Sequence, residues 1–321
     1  MLVRRRPELP ARWVLMSNPD TRCAVGIDVG GTKIAAGLVA FPSGCVLSRR
    51  KIATRPERGG EAVLTDALAL VEELLGDSRD MDLDFAGVGV GVAELVDREG
   101  RVTSDHTIAW RGIEVGERFG EFGPVVIDAD VRTAALGEAH FGSGVALGSF
   151  VYVSVGTGIG SCLVRDGRPW AGARGNALIM ASSPLTTVCT ECNASTHPIL
   201  EEFASGPAIV KRFKAAGGRA DSGEGVFDAA GSGNEEAIGI LVSSGNALGV
   251  SIAFLVNVLD PEAIVVGGGI GLAGGIYWDR LESSMREHIW AESSRALPIV
   301  EAGLGVDSGF VGAAARIGGE V

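Results

Sequence analysis

The chain has 321 residues, 46% of them hydrophobic, which is enough for two lobes with a core each. Its formal net charge of −12 excludes nucleic acid and anionic membrane surfaces as partners, so an anionic nucleotide would need local donors and a divalent cation. Five irregularly spaced cysteines do not make a disulfide framework, which points to a cytoplasmic location.

Residues 1–22 are basic but lack an apolar h-region, so they read as a disordered tail or a mis-assigned start ahead of Met16 rather than a secretory signal. Cys23–Asp28, Ile34–Val39 and Val46–Ile52 are expected to form a three-strand meander. A helix over Glu61–Leu75 and a glycine-alternating strand, Phe85–Val92, come next. The first turn, in Ile27-Asp-Val-Gly-Gly-Thr-Lys33, is the most informative segment. Asp28 ends the strand, Gly30 and Gly31 bare the backbone amides, and Thr32 and Lys33 add a hydroxyl and a cation. Exposed N–H groups beside an ammonium form an anion-binding nest suited to polyphosphate. Gly-Gly also makes ordinary hairpins, so this turn gains weight only from the glycine turns farther along the chain.

Pro124–Asp128 is a further strand and Val131–Phe141 a helix. From Phe150 the plan restarts with Val151–Val155, a Gly156-Thr157-Gly158 turn and Ile159–Val164. Helices are expected near Glu201–Lys214 and Glu235–Leu259, then a buried strand Ile264–Val266 ending in Gly267-Gly268-Gly269. A helix near Tyr277–Trp290, a strand at Leu297–Val300 and a last helix near Phe310–Ile317 complete the chain. The longest apolar run, Ala247–Leu259, is too short to span a bilayer. Two halves that each open with strand, glycine turn and strand suggest a duplicated fold with a cleft between the lobes, although two hairpins in one α/β chain can also look alike by chance.

Four ordered segments carry a resemblance: Asp28-Val-Gly-Gly-Thr-Lys33, Val125-Val-Ile-Asp-Ala-Asp130, Gly156-Thr-Gly-Ile-Gly160 and Asp260-Pro-Glu-Ala-Ile-Val-Val-Gly-Gly-Gly269. Together they resemble the ROK family of sugar kinases, within the actin and hexokinase superfamily, over about residues 23–318. The resemblance implies an α/β fold of two ribonuclease-H-like lobes with ATP in the cleft, an N-terminal lobe over 23–128 and a larger lobe over 129–321. The last helix would pack back on the first lobe. It implies that Gly30–Lys33 and Gly156–Gly158 flank the phosphates, that Gly267–Gly269 lies at the adenosine, and that Asp28 sits near magnesium. Asp130 matches the family's catalytic aspartate, which would take the proton of the attacking hydroxyl. The competing role for Asp130 is as N-cap of the helix beginning at Val131.

The acceptor side departs from the family pattern. The family's Gly-x-Pro-Gly loop reads Gly91-Val-Ala93-Glu94, the sugar-binding Asn before Trp110 is His106, and the Asn preceding the catalytic Asp is Ala129. The Glu-Ile-Gly-His segment reads Ile179-Met-Ala-Ser182, which leaves Glu201 of the expected sugar ligands. A pocket that loses hydrogen-bond partners loses orders of magnitude in selectivity. The expected acceptor is therefore a non-standard polyol, such as a C7-cyclitol, contacted by Glu94, His106 and Glu201. An ordinary hexose or N-acylhexosamine kinase and a non-catalytic sugar-binding protein are the alternatives.

Family members carry a structural zinc just before the position of Glu201. Cys189, Cys192 and His197 offer three zinc ligands here, while the family's His position is Ser182. Free thiols in a loop that has lost its metal are the alternative. A transcriptional repressor of this fold needs a DNA-binding domain that a 22-residue tail cannot supply. Family members are often dimers or tetramers, so a homo-oligomer fits the resemblance.

Overall fold

A computed structural model of the protein describes residues 21–188 and 195–319. In chain order its strands are β1 (Arg22–Val29), β2 (Lys33–Phe41), β3 (Cys45–Ala53), β4 (Asp84–Val92), β5 (Val125–Ala129), β6 (Ser149–Val155), β7 (Ile159–Arg165), β8 (Arg168–Pro169), β9 (Thr187–Val188), β10 (Ser195–Thr196), β11 (Ala263–Gly267) and β12 (Ile299–Glu301). Its α-helices are α1 (Gly60–Asp80), α2 (Val115–Gly120), α3 (Asp130–Phe141), α4 (Leu200–Ala204), α5 (Gly206–Ala215), α6 (Gly223–Gly231), α7 (Glu235–Leu259), α8 (Gly275–His288) and α9 (Ser308–Gly318). The chain divides into two compact units. One takes in the chain up to Leu147 with Val164–Ala177 and Val306 onward; the other comprises Gly148–Leu163 and Leu178–Gly305. The first unit thus extends past residue 128, where the sequence reading places the lobe boundary.

In the first unit a five-stranded sheet runs β3-β2-β1-β4-β5. The meander β1–β2–β3 is antiparallel, and β4 and β5 add in parallel. Strand β4 reads Asp-Phe-Ala-Gly-Val-Gly-Val-Gly-Val, so period-2 alternation sends valines to one face and glycines to the other. On the valine face, Val88 and Val90 join Val25, Ile27 and Ile34 in a core closed by Val63, Leu64, Val71 and Leu74 of α1. The α1 residues recur at three- and four-residue spacing, the mark of one buried helical face.

The other face has a different solution. Gly26 pairs with Gly37 on β2 and with Gly89 on β4, making a row of three glycines across the sheet. Helix α9 lies against this row. A methyl added to Gly26 would stand 1.8 Å from the Phe310 carbonyl oxygen, and one on Gly89 would stand 1.7 Å from that of Ala313. Backbone meets backbone there, and no side chain fits between. Gly312 of α9 is pressed in the same way on α3, with a methyl there falling 1.8 Å from the Thr133 carbonyl. This packing holds α3 in the first unit.

The second unit is built on the order β12-β11-β6-β7-β8, with β6, β11 and β12 parallel. Its core combines Val151, Val153, Ile264 and Val266 of the sheet with Leu241, Leu248 and Ile252 of α7 and Leu281 and Met285 of α8. Helix α7 has 25 residues and is long and apolar enough by composition to cross a membrane, more than the run Ala247–Leu259 suggests. Its inner face is nonetheless buried in this core. Gly245 and Gly249, one turn apart, let α8 approach, since methyls there would meet the Tyr277 and Leu281 carbonyls at 2.6 and 2.5 Å.

The helix expected over Glu201–Lys214 is two helices, α4 and α5. Ser205 sits in an extended conformation, its hydroxyl accepts from Ala208 N, and Pro207 occupies the first turn of α5, so the chain starts a new helix there. Helices α2 and α6 are additions to the sequence reading.

Alanine at Gly26 or Gly89 has to push the α9 backbone away. We expect each single variant to lose about 3 kcal/mol or more of stability, read as a fall in Tm by calorimetry. Alanine at Gly76, inside α1, where the added methyl meets nothing within 4 Å, serves as the control and should keep or raise stability by up to about 1 kcal/mol.

Candidate active site

The turn after β1 is braced from behind. Gly30 N donates to the Lys33 carbonyl at 3.0 Å, and buried Thr54, just past β3, donates its hydroxyl to the Gly30 carbonyl at 2.6 Å. Gly31 and Lys33 remain half-buried and Thr32 is exposed. Asp28 stands at the end of β1 facing the first residues of α9, where a methyl on Gly309 would fall 2.5 Å from its Oδ2. Burial, with the Asp130 carboxylate as a second cause, pushes the Asp28 carboxyl up to about 7 against the pull of Lys33.

Asp130 is the first helical residue of α3, and the N-cap position falls to Ala129. The competing expectation, Asp130 as N-cap, is therefore not met. Its Oδ1 accepts from Val131 N at 2.7 Å, and its carbonyl accepts the Thr133 hydroxyl.

Two residues earlier lies a buried network that the sequence reading missed. Asp128 pairs with Arg132 through Oδ1 and with Arg316 of α9 through Oδ2 at 2.6 Å. Arg132 also donates to the Gly175 carbonyl at 2.6 Å and the Val96 carbonyl at 2.8 Å. Buried charges persist only when paired and hydrogen-bonded in this way. The network anchors the β5–α3 corner on which Asp130 stands. Its one trace in the sequence is the i, i+4 spacing of Asp128 and Arg132.

The residues expected to contact an acceptor are disposed differently from one another. Glu94 is buried, and its carboxylate accepts four hydrogen bonds: from the Ser104 hydroxyl and His106 N on Oε2, and from Thr107 N and Ile108 N on Oε1. A carboxylate offers about four lone-pair sites, so none is left for a substrate hydroxyl. Glu94 therefore braces the 104–108 loop, which corrects its expected role as an acceptor contact. His106 is exposed and joins that brace through its backbone N–H. Trp110 is fully buried, donating its indole N–H to the Gly60 carbonyl at 3.0 Å. Ser182 turns its hydroxyl onto the Ile179 carbonyl at 2.9 Å.

In the second unit two glycine turns lie side by side. Gly156 N bonds the Gly158 carbonyl at 2.9 Å, and Gly206 N at the start of α5 bonds the Gly156 carbonyl at 2.8 Å. Glu201 Oε2 accepts from Ile159 N at 2.7 Å, and a methyl on Gly158 would fall 2.6 Å from that oxygen. Glu201 thus underpins the Gly156–Gly158 turn, while its Oε1 has no hydrogen bond among the described residues. After β11, Gly268 takes a positive φ of 82° and folds the chain back, so that Ile270 N and Gly271 N both donate to the Val155 carbonyl at 3.0 and 3.1 Å. Gly269 N comes within 3.9 Å of a methyl built on Gly156. Thr157 lies exposed between them.

Cys189 and Cys192, expected as zinc ligands, lie outside the described residues. His197 is exposed, with Nδ1 at 3.2 Å from the Thr186 hydroxyl. Among the described residues no three His, Cys, Asp or Glu side chains gather to hold a metal ion.

Glu94→Ala strands four donors, those of Ser104 and Ile108 on buried residues, and should cost about 2–4 kcal/mol, whereas Glu94→Gln keeps an acceptor and should cost less; denaturant unfolding measures both. Because the folded Asp28 pKa lies above its unfolded value near 4, the native state holds the extra proton between about pH 4 and 7. Stability from this group therefore falls as pH rises through that window. Asp28→Asn should flatten that part of the stability–pH curve, by on the order of 1 kcal/mol at pH 8 after allowance for partial solvent access.

The ROK family profile matches residues 24–318. The glucokinase of Thermotoga maritima is 30% identical over 92% of this chain and 98% of its own length. A bifunctional enzyme NanE/NanK from Brucella melitensis is 31% identical over 96% of this chain, which spans 57% of that protein. The crystal structure of a ROK family glucokinase from Streptomyces griseus, in complex with glucose and AMPPNP, superposes with a TM-score of 0.78 at 29% identity, covering 92% of this chain and 99% of that one. The doubled sheet-and-helix plan, the glycine turns and the profile over nearly the whole chain agree: this protein belongs to the ROK family.

Proposed function

We propose that the chain is an ATP-dependent sugar kinase that transfers the γ-phosphoryl group to a hydroxyl of a hexose or a hexose-like polyol in the cytoplasm. The observation that carries this reading is the pair Asp28 and Asp130. Two carboxylates are close enough for Asp130 to raise the Asp28 pKa, on the unit that also presents the Gly30–Lys33 turn. A perturbed carboxylate such as Asp28 beside an anion-binding turn is a candidate functional group. The glucokinase bound to glucose and AMPPNP supports both the donor and the acceptor class.

In this reading Asp130 accepts the proton of the attacking hydroxyl as its oxygen bonds to the γ-phosphorus, and ADP leaves as the bond to the β-phosphate oxygen breaks. Lys33 and the amides of Gly31 and Thr32 take phosphate charge, on a turn held open by the Gly30 N–H bond to the Lys33 carbonyl; Gly156, Thr157 and Gly158 are the proposed phosphate turn of the second unit, taken by itself. The Gly267–Gly269 turn lies beside Gly156 and suits the adenosine end of the nucleotide. Magnesium carried by the nucleotide would supply the positive charge that offsets the Asp28–Asp130 repulsion. On the first unit, exposed His106 is the proposed acceptor contact that remains after Glu94 is assigned to its loop; on the second, Glu201 keeps an Oε1 with no hydrogen bond among the described residues.

A second reading rests on one specific observation. Ala129 and Ser182 stand where family members place an amide and an imidazole, so a hexose would find fewer partners. That favours a polyol such as a C7-cyclitol, while the glucokinase relatives favour a hexose. ADP release measured over glucose, N-acetylmannosamine and cyclitols separates the two. Asp130→Asn should lower kcat by about 10²–10⁴-fold with the circular dichroism spectrum unchanged. A folded Asn variant that turns over at close to the parent rate would refute the assigned base.

A further inference from the structure

Two loops of the first unit border an open surface cavity of about 430 Å³ lined by Asp97, Arg98, Glu99, Thr103, Arg174 and Asn176. That size suits a small ligand. Its charge is unbalanced once the ion pairs are followed. Asp97 and Glu99 both pair with Arg101, at 2.8 and 3.4 Å, and Asp97 Oδ1 also accepts the backbone N–H groups of Glu99 and Arg101. Both lining carboxylates therefore already have a cation. Among the described residues, Arg98 and Arg174 have no ion pair; because Asp97 and Glu99 share the single Arg101, the three arginines and two carboxylates around the cavity leave a net charge of +1.

The backbone that carries these arginines is held firmly. Val96 and Val102 form a bridge, Asp97 N bonds the Arg101 carbonyl at 3.0 Å, and Thr103 N bonds the Leu95 carbonyl at 2.8 Å. Buried Arg132 ties the two loops together through the Val96 and Gly175 carbonyls. Gly175, at φ +82°, packs so closely that a methyl would fall 2.1 Å from the Val96 carbonyl oxygen. Arg98 and Arg174 each sit within two residues of this clamp. The backbone positions of the two arginines are thus held by a buried ion-pair network, while both side chains are exposed.

We propose that this cavity binds the anionic group of a small sugar derivative, a carboxylate or a phosphate monoester, through Arg98 and Arg174, with Thr103 and Asn176 as neutral partners. Guanidinium forks match both anions in a bidentate geometry that an exposed lysine cannot reproduce. The charged ligand has two sources, an acceptor that is itself a sugar acid or a sugar phosphate acting as product or effector. Binding at this cavity requires no phosphoryl transfer and so lies beyond the kinase reading.

Isothermal titration of the full chain without nucleotide, using glucose, glucuronate and glucose 6-phosphate as probes, tests it. At least one anionic probe should bind about tenfold or more tightly than glucose, and more weakly as salt rises. The double variant Arg98→Gln/Arg174→Gln should lose about tenfold of that affinity, as expected for two partly exposed charge pairs. ADP release with glucuronate identifies the acceptor source, and glucose 6-phosphate binding without turnover identifies the effector source. Equal binding of charged and neutral probes, or full anion affinity in the double variant, overturns the proposal. A failure of the kinase reading would show only in the ADP-release assay.

Discussion

Helix α9 can rest on the first sheet only because the strands beneath it present glycines where its backbone crosses them. Gly26 and Gly89 bring a helix backbone into direct contact with a sheet backbone, Gly37 beside them admits the Phe310 ring, and Gly312 repeats the backbone contact toward α3. Ordinary helix–sheet packing is cushioned by side chains, which can adjust by a few tenths of an ångström. Here the approach is set by main-chain atoms and has little slack. Other features depend on that fixed distance. Gly309 meets the Asp28 carboxylate, the Ser308 hydroxyl bonds buried Glu138 at 2.7 Å, and Arg316 reaches Asp128. One helix therefore touches carboxylates of β1, β5 and α3.

Those carboxylates fall into two groups. Asp128, Glu94 and Glu138 are buried and engaged by arginines, hydroxyls or backbone amides, and each holds a piece of loop or helix in register. Asp28 and Asp130 are half-buried and oppose one another, with Lys33 as the nearby cation. The first group fixes geometry at the cost of chemical freedom. The second keeps an unfavourable electrostatic state that a ligand can relieve, which is the arrangement functional sites favour. The sheet and α9 position both groups together.

Much of this was legible in the sequence because backbone requirements leave a strong imprint. The turn after Asp28 shows in its paired glycines, and the valine–glycine alternation of β4 announces one face with side chains and one without. Glycine cannot show what covers that bare face, so the contact with α9 emerges only in three dimensions. The break between α4 and α5 was signalled by Ser205-Gly206-Pro207 and was overridden by apolar periodicity on either side. Glu94 misled because a loop carboxylate is ordinarily solvated; its four donors are spread over residues 104–108 and carry no local signature. The Asp128–Arg132 clamp left only a four-residue spacing across the strand-to-helix corner, while its other partners, Val96, Gly175 and Arg316, are distant in sequence. Site positions set by local turns were readable, and those set by long-range neutralisation were not.

The first unit is assembled from segments far apart in the chain, with most of the second unit threaded between them. During synthesis the ribosome emits the five strands of the first sheet long before the helix that seals their glycine face. That surface must wait, its flat backbone open to any other strand or helix nearby, while the intervening domain is made. Translation order thus makes the tail end of the polypeptide the closing event for its beginning. A nascent chain halted before residue 306 would expose a conspicuous unfinished face to chaperones and proteases.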